Sequence, residues 1–258
     1  MKYAILFKNM LGQRKPCSFR NIEQKLKIKT LPLKDNLSKD LFSLYNYNND
    51  EQIRLNIGGD HSISIATLSS SIKKHGNNIK VLWFDAHADI NSYEKSETKN
   101  VHGMVLNYIT QLGNNKPLFD FLPKNGLNPK NILYIGLRDP DPYESELIEK
   151  HNISVISCEE VNEKPKEVTQ KINEFINDSK FHLSFDVDGI DPCFIPSTGT
   201  PVENGMNMNS ICYILQNINH KNRINCDLVE YNCDIGSKIQ QNITYTNVKK
   251  LIDILYNN

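Results

Sequence analysis

Three short segments of this chain carry aspartate, in two of them together with histidine, in patterns that suit metal binding. The richest is Asp85-Ala86-His87-Ala88-Asp89, which follows an apolar run typical of a buried strand. Alternate side chains of a strand share one face, so Asp85, His87 and Asp89 point the same way if the extended geometry continues. Burying carboxylates is costly unless they are paired or bind a metal. The spacing therefore predicts metal ligands.

Two further segments each follow an apolar run of their own. Residues 58–62 read Gly-Gly-Asp-His-Ser, and residues 184–189 read Ser-Phe-Asp-Val-Asp-Gly. Alone, the first is equally explained by a turn followed by an Asp or Ser helix cap. The second resembles a calcium loop, but its glycine position and the absence of a closing Glu do not fit an EF-hand. Together the segments supply six candidate metal ligands: His61, Asp85, His87, Asp89, Asp186 and Asp188.

The types of these ligands indicate which metal chemistry is expected. Imidazole and carboxylate ligands without a thiolate favour Mn²⁺ or a related divalent ion over structural zinc. The charge of four aspartates is balanced by two divalent ions. Bridging carboxylates would hold such ions about 3.5–4 Å apart, where a shared water becomes a strong nucleophile. The sequence thus predicts a two-metal hydrolytic site.

The elements that carry these residues alternate between strand-like and helical patterns. This alternation predicts an α/β fold, a three-layer α/β/α sandwich with a mostly parallel central sheet. No linker interrupts it, so residues 1–258 are expected to form a single catalytic domain. The predicted strands are 3–7, 53–57, 80–84, 131–136, 154–157, 181–185 and 227–230, and the predicted helices are 62–74, 103–112, 164–177, 209–218 and 246–256.

Candidate site residues follow five of these strands, namely 53–57, 80–84, 131–136, 181–185 and 227–230. In such sheets, ligands bind beyond the carboxyl ends of the strands. This coincidence predicts one composite site. The stretch 8–50 shows no clear element, and residues 91–129 read as a long loop with one helix.

Composition narrows the classes of partner. The chain has 30 basic and 30 acidic residues, which argues against general binding to nucleic acid or to a membrane surface. No apolar run approaches the length of a membrane span. The six cysteines form no C-x-x-C pair and are expected to be free thiols, so a cytoplasmic location is expected.

Taken in order, the three motifs resemble those of the ureohydrolase superfamily, the arginase and agmatinase group, across residues 53–235. The resemblance implies an arginase-like fold with two Mn²⁺ ions per chain, Asp85 and Asp186 bridging them. The first ion would also bind His61 and Asp89, and the second His87 and Asp188. The resemblance also implies a homo-oligomer, a trimer or hexamer.

The resemblance extends to residues around the metals. His102, in an Asn-Val-His-Gly segment, matches a proton shuttle, and Asp141, in the arginase-like run 136–142, matches a contact to the substrate α-amino group. Alone, Asp141 between two prolines is equally a turn residue, and His102 or Glu230 an ordinary surface residue. The substrate-binding residues implied are Asn91, Ser96, Thr98, Asp141, Thr200 and Glu230.

These roles combine into one reaction. A guanidinium is always cationic and a poor electrophile, so a metal-bridging hydroxide would attack it. The catalytic residues would be Glu230 holding the guanidinium, Asp89 bonding the hydroxide, and His102 protonating the leaving amine. The expected reaction converts L-arginine to L-ornithine and urea. Two alternatives stay open: another guanidino substrate such as agmatine, and a non-catalytic metal-binding relative.

Overall fold

An eight-stranded parallel sheet forms the centre of the protein. The computed structural model describes residues 3–6, 28–32, 34, 36–50, 53–113 and 118–258. The strand order is β2-β1-β3-β8-β7-β4-β5-β6, and every pair of neighbours is parallel. The strands are β1 Tyr3–Leu6, β2 Ile28–Thr30, β3 Ile53–Ile57, β4 Lys80–Phe84, β5 Ile132–Ile135, β6 Ser154–Ile156, β7 Phe181–Asp186 and β8 Arg223–Val229.

Helices cover both faces of this sheet. The four helices that come first in the described chain pack on one face, and the other four pack on the opposite face. They are α1 Leu37–Asp50, α2 Ile63–His75, α3 Val105–Thr110, α4 Pro142–His151, α5 Cys158–Glu163, α6 Pro165–Ile176, α7 Met208–Asn217 and α8 Lys238–Asn257. None of the described helices is both long enough and apolar enough to cross a membrane.

Strand alternation divides the core between the two faces. In β4, Val81 and Trp83 pack with α1–α4, whereas Leu82 and Phe84 pack with α5–α8. All four side chains are fully buried, because successive strand residues point to opposite faces and both faces are covered. The predicted three-layer α/β/α architecture is confirmed.

The five strands that precede the candidate site residues are consecutive in the sheet. Their order is β3-β8-β7-β4-β5, although they are not consecutive in the chain. Since parallel strands end at the same edge, the loops after these five strands meet there. Strands β1 and β2 lie on one side of these five, and β6 lies on the other.

Several elements differ from the pattern-based prediction. Strand β2 and helices α1, α4 and α5 were not predicted, and α8 begins at Lys238 rather than at 246. Helix α1 is rich in Asn, and Asp40 and Asn48 interrupt its buried stripe. Helix α4 buries only Glu144 and Leu147 and so has no apolar periodicity, and α5 is too short to show one. Residue 7 of the first predicted strand lies outside the described residues.

Five cysteines in the described part of the chain are free thiols, as predicted: Cys158, Cys193, Cys212, Cys226 and Cys233. Cys17 lies outside it.

Arg138 ties the loop after β5 to the loop after β7. Its guanidinium donates five hydrogen bonds to backbone carbonyls at 2.7–3.1 Å. The side chain is therefore a backbone clamp rather than the ion-pair partner that an isolated arginine would suggest. The acceptors belong to Gly136, Asp188, Gly189, Val202 and Glu203.

We expect Arg138→Lys to lower the free energy of unfolding by about 2 kcal/mol, because an ammonium has three donors and cannot reproduce the fork of the guanidinium. Chemical denaturation of the metal-free protein measures the change. Arg223→Lys is the matched control at the opposite end of the sheet, where the guanidinium donates to the carbonyl of Leu255. Equal losses in the two variants would contradict the clamp.

Candidate metal centre and substrate cavity

His61 lies at the centre of a cluster of carboxylates. It follows β3 and is fully buried. Its Nδ1 lies 3.0 Å from an oxygen of Asp85, 3.0 Å from one of Asp89 and 3.2 Å from one of Asp186. The ring of Trp83 stacks on the imidazole of His61, with 4.1 Å between the ring centroids and 4° between the ring planes. This contact holds the imidazole plane against the strand.

The segment 85–89 brings its three polar side chains together, but not by extended geometry. Strand β4 ends at Phe84, and Asp89 has a left-handed backbone with φ 49°. Such a conformation is unfavourable for a non-glycine residue and persists where the surroundings impose it. The prediction that these side chains converge is correct, whereas the proposed cause, a continuing strand, is wrong.

The ligand atoms form two groups that share one carboxylate. One group joins His61, Asp85 and Asp186, and the other joins Asp85, His87 and Asp188, with all atoms of a group within 4.8 Å. In the second group, His87 Nδ1 lies 3.5 Å from Asp85 Oδ1 and 3.2 Å from Asp188 Oδ2. A carboxylate common to both groups suits a bridge between two ions.

Two buried atoms of this cluster have no hydrogen-bond partner, namely His61 Nδ1 and Asp85 Oδ2. Buried polar atoms are nearly always satisfied, so orphaned ligand atoms facing each other need a partner such as a cation. The buried groups fit a binuclear metal site. The bridging role of Asp85 agrees with this geometry, and that of Asp186, which belongs to the first group, stays a prediction.

The electrostatics of the cluster also favour a cation. Burial and the charges of Asp188 and Asp85 raise the pKa of Asp186 well above its usual value. Burial and Asp85 likewise raise the pKa of Asp89 to about 6. Burial lowers the pKa of His61, but the nearby carboxylates of Asp186, Asp85 and Asp89 raise it more. Divalent ions would relieve this repulsion between buried like charges.

A cavity of about 150 Å³ opens above the cluster. A cavity of this volume suits a small molecule rather than a polymer. Its lining contains five carboxylates and neither lysine nor arginine, so it favours a cation. The lining residues are His87, Asp89, Asn91, Ser96, Thr98, Asn100, His102, Gly103, Glu144, Asp186, Asp188, Thr200 and Glu230.

Glu230 and His102 form a pair on one wall of this cavity. Glu230 follows β8, is 3% exposed and has a left-handed φ of 63°. Its Oε1 accepts a hydrogen bond from the backbone N–H of His61 at 3.0 Å and lies 3.3 Å from His102 Nδ1. Burial lowers the pKa of His102, but the hydrogen bond to Glu230 and the charge of Glu230 raise it by a larger amount, so the resulting pKa is about 9. Without bound metal, the imidazole therefore keeps its proton to a higher pH than an ordinary histidine.

The residues predicted to bind the amino-acid end of a substrate are mostly at this cavity. Asn91, Ser96, Thr98 and Thr200 line it. Asp141 is not among the lining residues, and its side chain caps helix α4. Its carboxylate accepts from the backbone N–H of Glu144 at 2.8 Å and from the side chain of Asn91. Its predicted contact with an α-amino group stays a prediction.

Three residues at the site were not assigned a role from the sequence. Glu144 and Asn100 line the cavity, and the buried Trp83 of β4 stacks on His61. The run Asp141-Pro142-x-Glu144 has the spacing of a capping box with proline in the first turn, a signal that could have placed Glu144. Burial raises the pKa of Glu144 to about 7. No local pattern points to Trp83, because its contact with His61 joins different strands.

Comparison with known proteins agrees with this geometry. A model of the arginase family matches residues 18–253. The chain belongs to the arginase family. The arginase of Entamoeba histolytica is 38% identical over 231 residues, which make up 88% of this chain and 74% of that protein. The arginase of Coccidioides immitis is 38% identical over 199 residues, or 73% of this chain and 62% of that protein. The chain is thus a ureohydrolase-type hydrolase.

Solved structures of this family share the fold. The Entamoeba histolytica arginase in complex with L-ornithine has a TM-score of 0.82 at 29% identity, covering 97% of this chain and 98% of that chain. The arginase of Bacillus caldovelox has a TM-score of 0.85 at 22% identity, covering 100% of this chain and 98% of that chain. At that identity the second likeness concerns the fold alone.

We expect Asp85→Asn to reduce binding of Mn²⁺ to less than one ion per chain at concentrations that load the unchanged protein, since Asp85 belongs to both ligand groups. Isothermal titration calorimetry measures the stoichiometry. Asp191→Asn is the matched control, because it makes the same charge change where the carboxylate accepts from the backbone of Cys193 and Gly205. Full binding by Asp85→Asn would contradict a shared ligand.

Proposed function

We propose that this protein is an arginase, which hydrolyses L-arginine to L-ornithine and urea with two Mn²⁺ ions per chain. The observation that carries the proposal is the pair of buried histidine–carboxylate groups at the base of a small anionic cavity. Family membership supports it, as does the relative crystallised with L-ornithine.

The cavity has the charge that a guanidinium substrate requires. A guanidinium is cationic at every accessible pH and matches a carboxylate with parallel N–H donors. Glu230 is the carboxylate proposed to receive it, since the residue is buried on the cavity wall beside both ligand groups. The low-dielectric surroundings strengthen this attraction.

The residues proposed to hold the metals are His61, Asp85, His87, Asp89, Asp186 and Asp188. Bound divalent ions lower the pKa of water and so supply a nucleophile near neutral pH. Asp89, one of the residues proposed to hold the metals, would also accept a hydrogen bond from that nucleophile. His102, whose pKa is raised to about 9 without bound metal, faces the same cavity, so its imidazole can give a proton to the leaving amine.

Four finer points of the proposal rest on the sequence rather than on the geometry. Manganese follows from the ligand types and the resemblance, and assembly into a trimer or hexamer from the resemblance. A cytoplasmic location follows from the cysteine pattern, and a single catalytic domain over residues 1–258 from the lack of a linker. A small guanidino compound is proposed as the ligand, without nucleic acid or membrane as partner.

We expect the Mn²⁺-loaded protein to release urea from L-arginine with at least tenfold higher kcat/KM than from agmatine. A colorimetric urea assay with both substrates measures this. Asp85→Asn controls for contaminating activity. Turnover of agmatine alone would favour a different guanidino substrate, and Mn²⁺ binding without urea from either compound would favour a non-catalytic relative.

We expect Thr98→Val to raise the KM for L-arginine about fivefold with little change in kcat, because one hydrogen bond to the substrate carboxylate, worth roughly 1 kcal/mol, is lost. The KM for agmatine, which lacks that carboxylate, should not change. Thr98→Ser is the matched control that keeps the hydroxyl. An equal rise for both substrates would mean that Thr98 does not contact the carboxylate.

A further inference from the structure

A chain of buried hydrogen bonds leads from the far side of His61 into the protein interior. His61 Nε2 lies 2.8 Å from Ser184 Oγ, and Ser184 Oγ lies 3.2 Å from Ser64 Oγ. Ser64 Oγ in turn lies 2.7 Å from Asp227 Oδ2. None of these residues is solvent-accessible, and Ser184, Ser64 and Asp227 do not line the cavity. The chain therefore lies behind the site, away from substrate.

Asp227 is an anion at the end of this chain. Besides Ser64, its carboxylate accepts from Thr67 at 2.6 Å and from Asn56 at 2.9 Å, and it lies 2.9 Å from His182 Nε2. Burial raises the pKa of this carboxyl, but His182 and the hydroxyl donors lower it more, below its usual value. An ionised carboxylate has no proton to donate. Every hydrogen bond to Asp227 must therefore be donated by its neighbour.

This requirement sets the direction of each hydrogen bond in the chain. A serine hydroxyl has one proton, and Ser64 donates that proton in its hydrogen bond to Asp227. Its oxygen must then accept from Ser184. Because Ser184 donates its proton to Ser64, its oxygen can only accept a hydrogen bond from His61 Nε2. The reverse arrangement would leave two hydroxyl oxygens 3.2 Å apart with no proton between them.

We propose that Asp227 and Ser64 are positioning residues that keep a proton on His61 Nε2, so that metal binding displaces a proton only from Nδ1. Nδ1 is the atom that faces Asp85, Asp89 and Asp186. Fixing the tautomer of a histidine ligand through its second nitrogen raises metal affinity. The inference rests on the proposed role of His61 as a ligand and extends it to residues outside the cavity.

Helix α2 offers a matched pair of variants. Ser64 and Thr67 are both fully buried, and each donates one hydroxyl hydrogen bond to Asp227 Oδ2. Of the two, Ser64 is the one bonded to Ser184. Ser64→Ala would release the Ser184 hydroxyl to donate to Nε2 and so favour a proton on Nδ1. Thr67→Val removes a donor from the same oxygen without touching the chain.

We expect Ser64→Ala to weaken Mn²⁺ binding about tenfold, the lower end of the effect of removing a partner of a metal ligand. Thr67→Val should keep the affinity of the unchanged protein within about twofold. Isothermal titration calorimetry measures affinity, and thermal unfolding of the metal-free proteins reports the structural cost of each change. Equal affinities in the two variants, whether lowered or unchanged, would overturn the inference.

A second measurement needs no variant. Nitrogen-15 NMR of histidine-labelled protein loaded with diamagnetic Zn²⁺ should show His61 with a proton on Nε2. A proton on Nδ1 with metal on Nε2 would overturn the inference even if a variant failed to fold. Failure of the unchanged protein to bind Mn²⁺ would instead overturn the proposed function and this inference together.

Discussion

Repulsion among buried carboxylates is the constraint on which the rest of this structure depends. Asp85, Asp89, Asp186 and Asp188 lie within a few ångströms of each other and of two histidines, with almost no access to solvent. Such a group of like charges is unstable in a low-dielectric interior unless cations or protons compensate it. The raised pKa of Asp186 reports this cost. Because divalent ions would compensate these negative charges, the cluster favours their binding.

The surrounding fold holds these groups where they would not settle by themselves. Asp89 and Glu230 have left-handed backbones, Trp83 stacks on His61, and Arg138 clamps the backbone of the loop that carries Asp188. The Trp83 contact joins the end of β4 to the segment after β3, and the Arg138 contact joins the loops after β5 and β7. A small displacement of one of these strand ends would therefore alter several ligand distances at once.

Most of the site could be predicted from the sequence because metal ligands have few alternatives. Burying aspartates and histidines after apolar strands has no ordinary packing explanation, so the local sequence is enough to predict that they bind metal. The position of Glu144 could also have been predicted, because its spacing from Asp141 is that of a capping box. Helix α1 and strand β2 could not be predicted, because polar residues in these segments hide the periodicity and tertiary contacts decide their conformation.

The sequence by itself determined the chemical types of the ligands, their order, the α/β class and the edge of the sheet where they meet. Only the tertiary structure decided how they meet. It ended the strand at Phe84 with an irregular bend over Asp85–Asp89, made Asp141 a helix cap, and brought Ser64, Ser184 and Asp227 behind His61. Local patterns record the period of one element, whereas the contacts of Ser64 with Ser184 and Asp227 join residues more than a hundred positions apart, whose distance depends on sheet order.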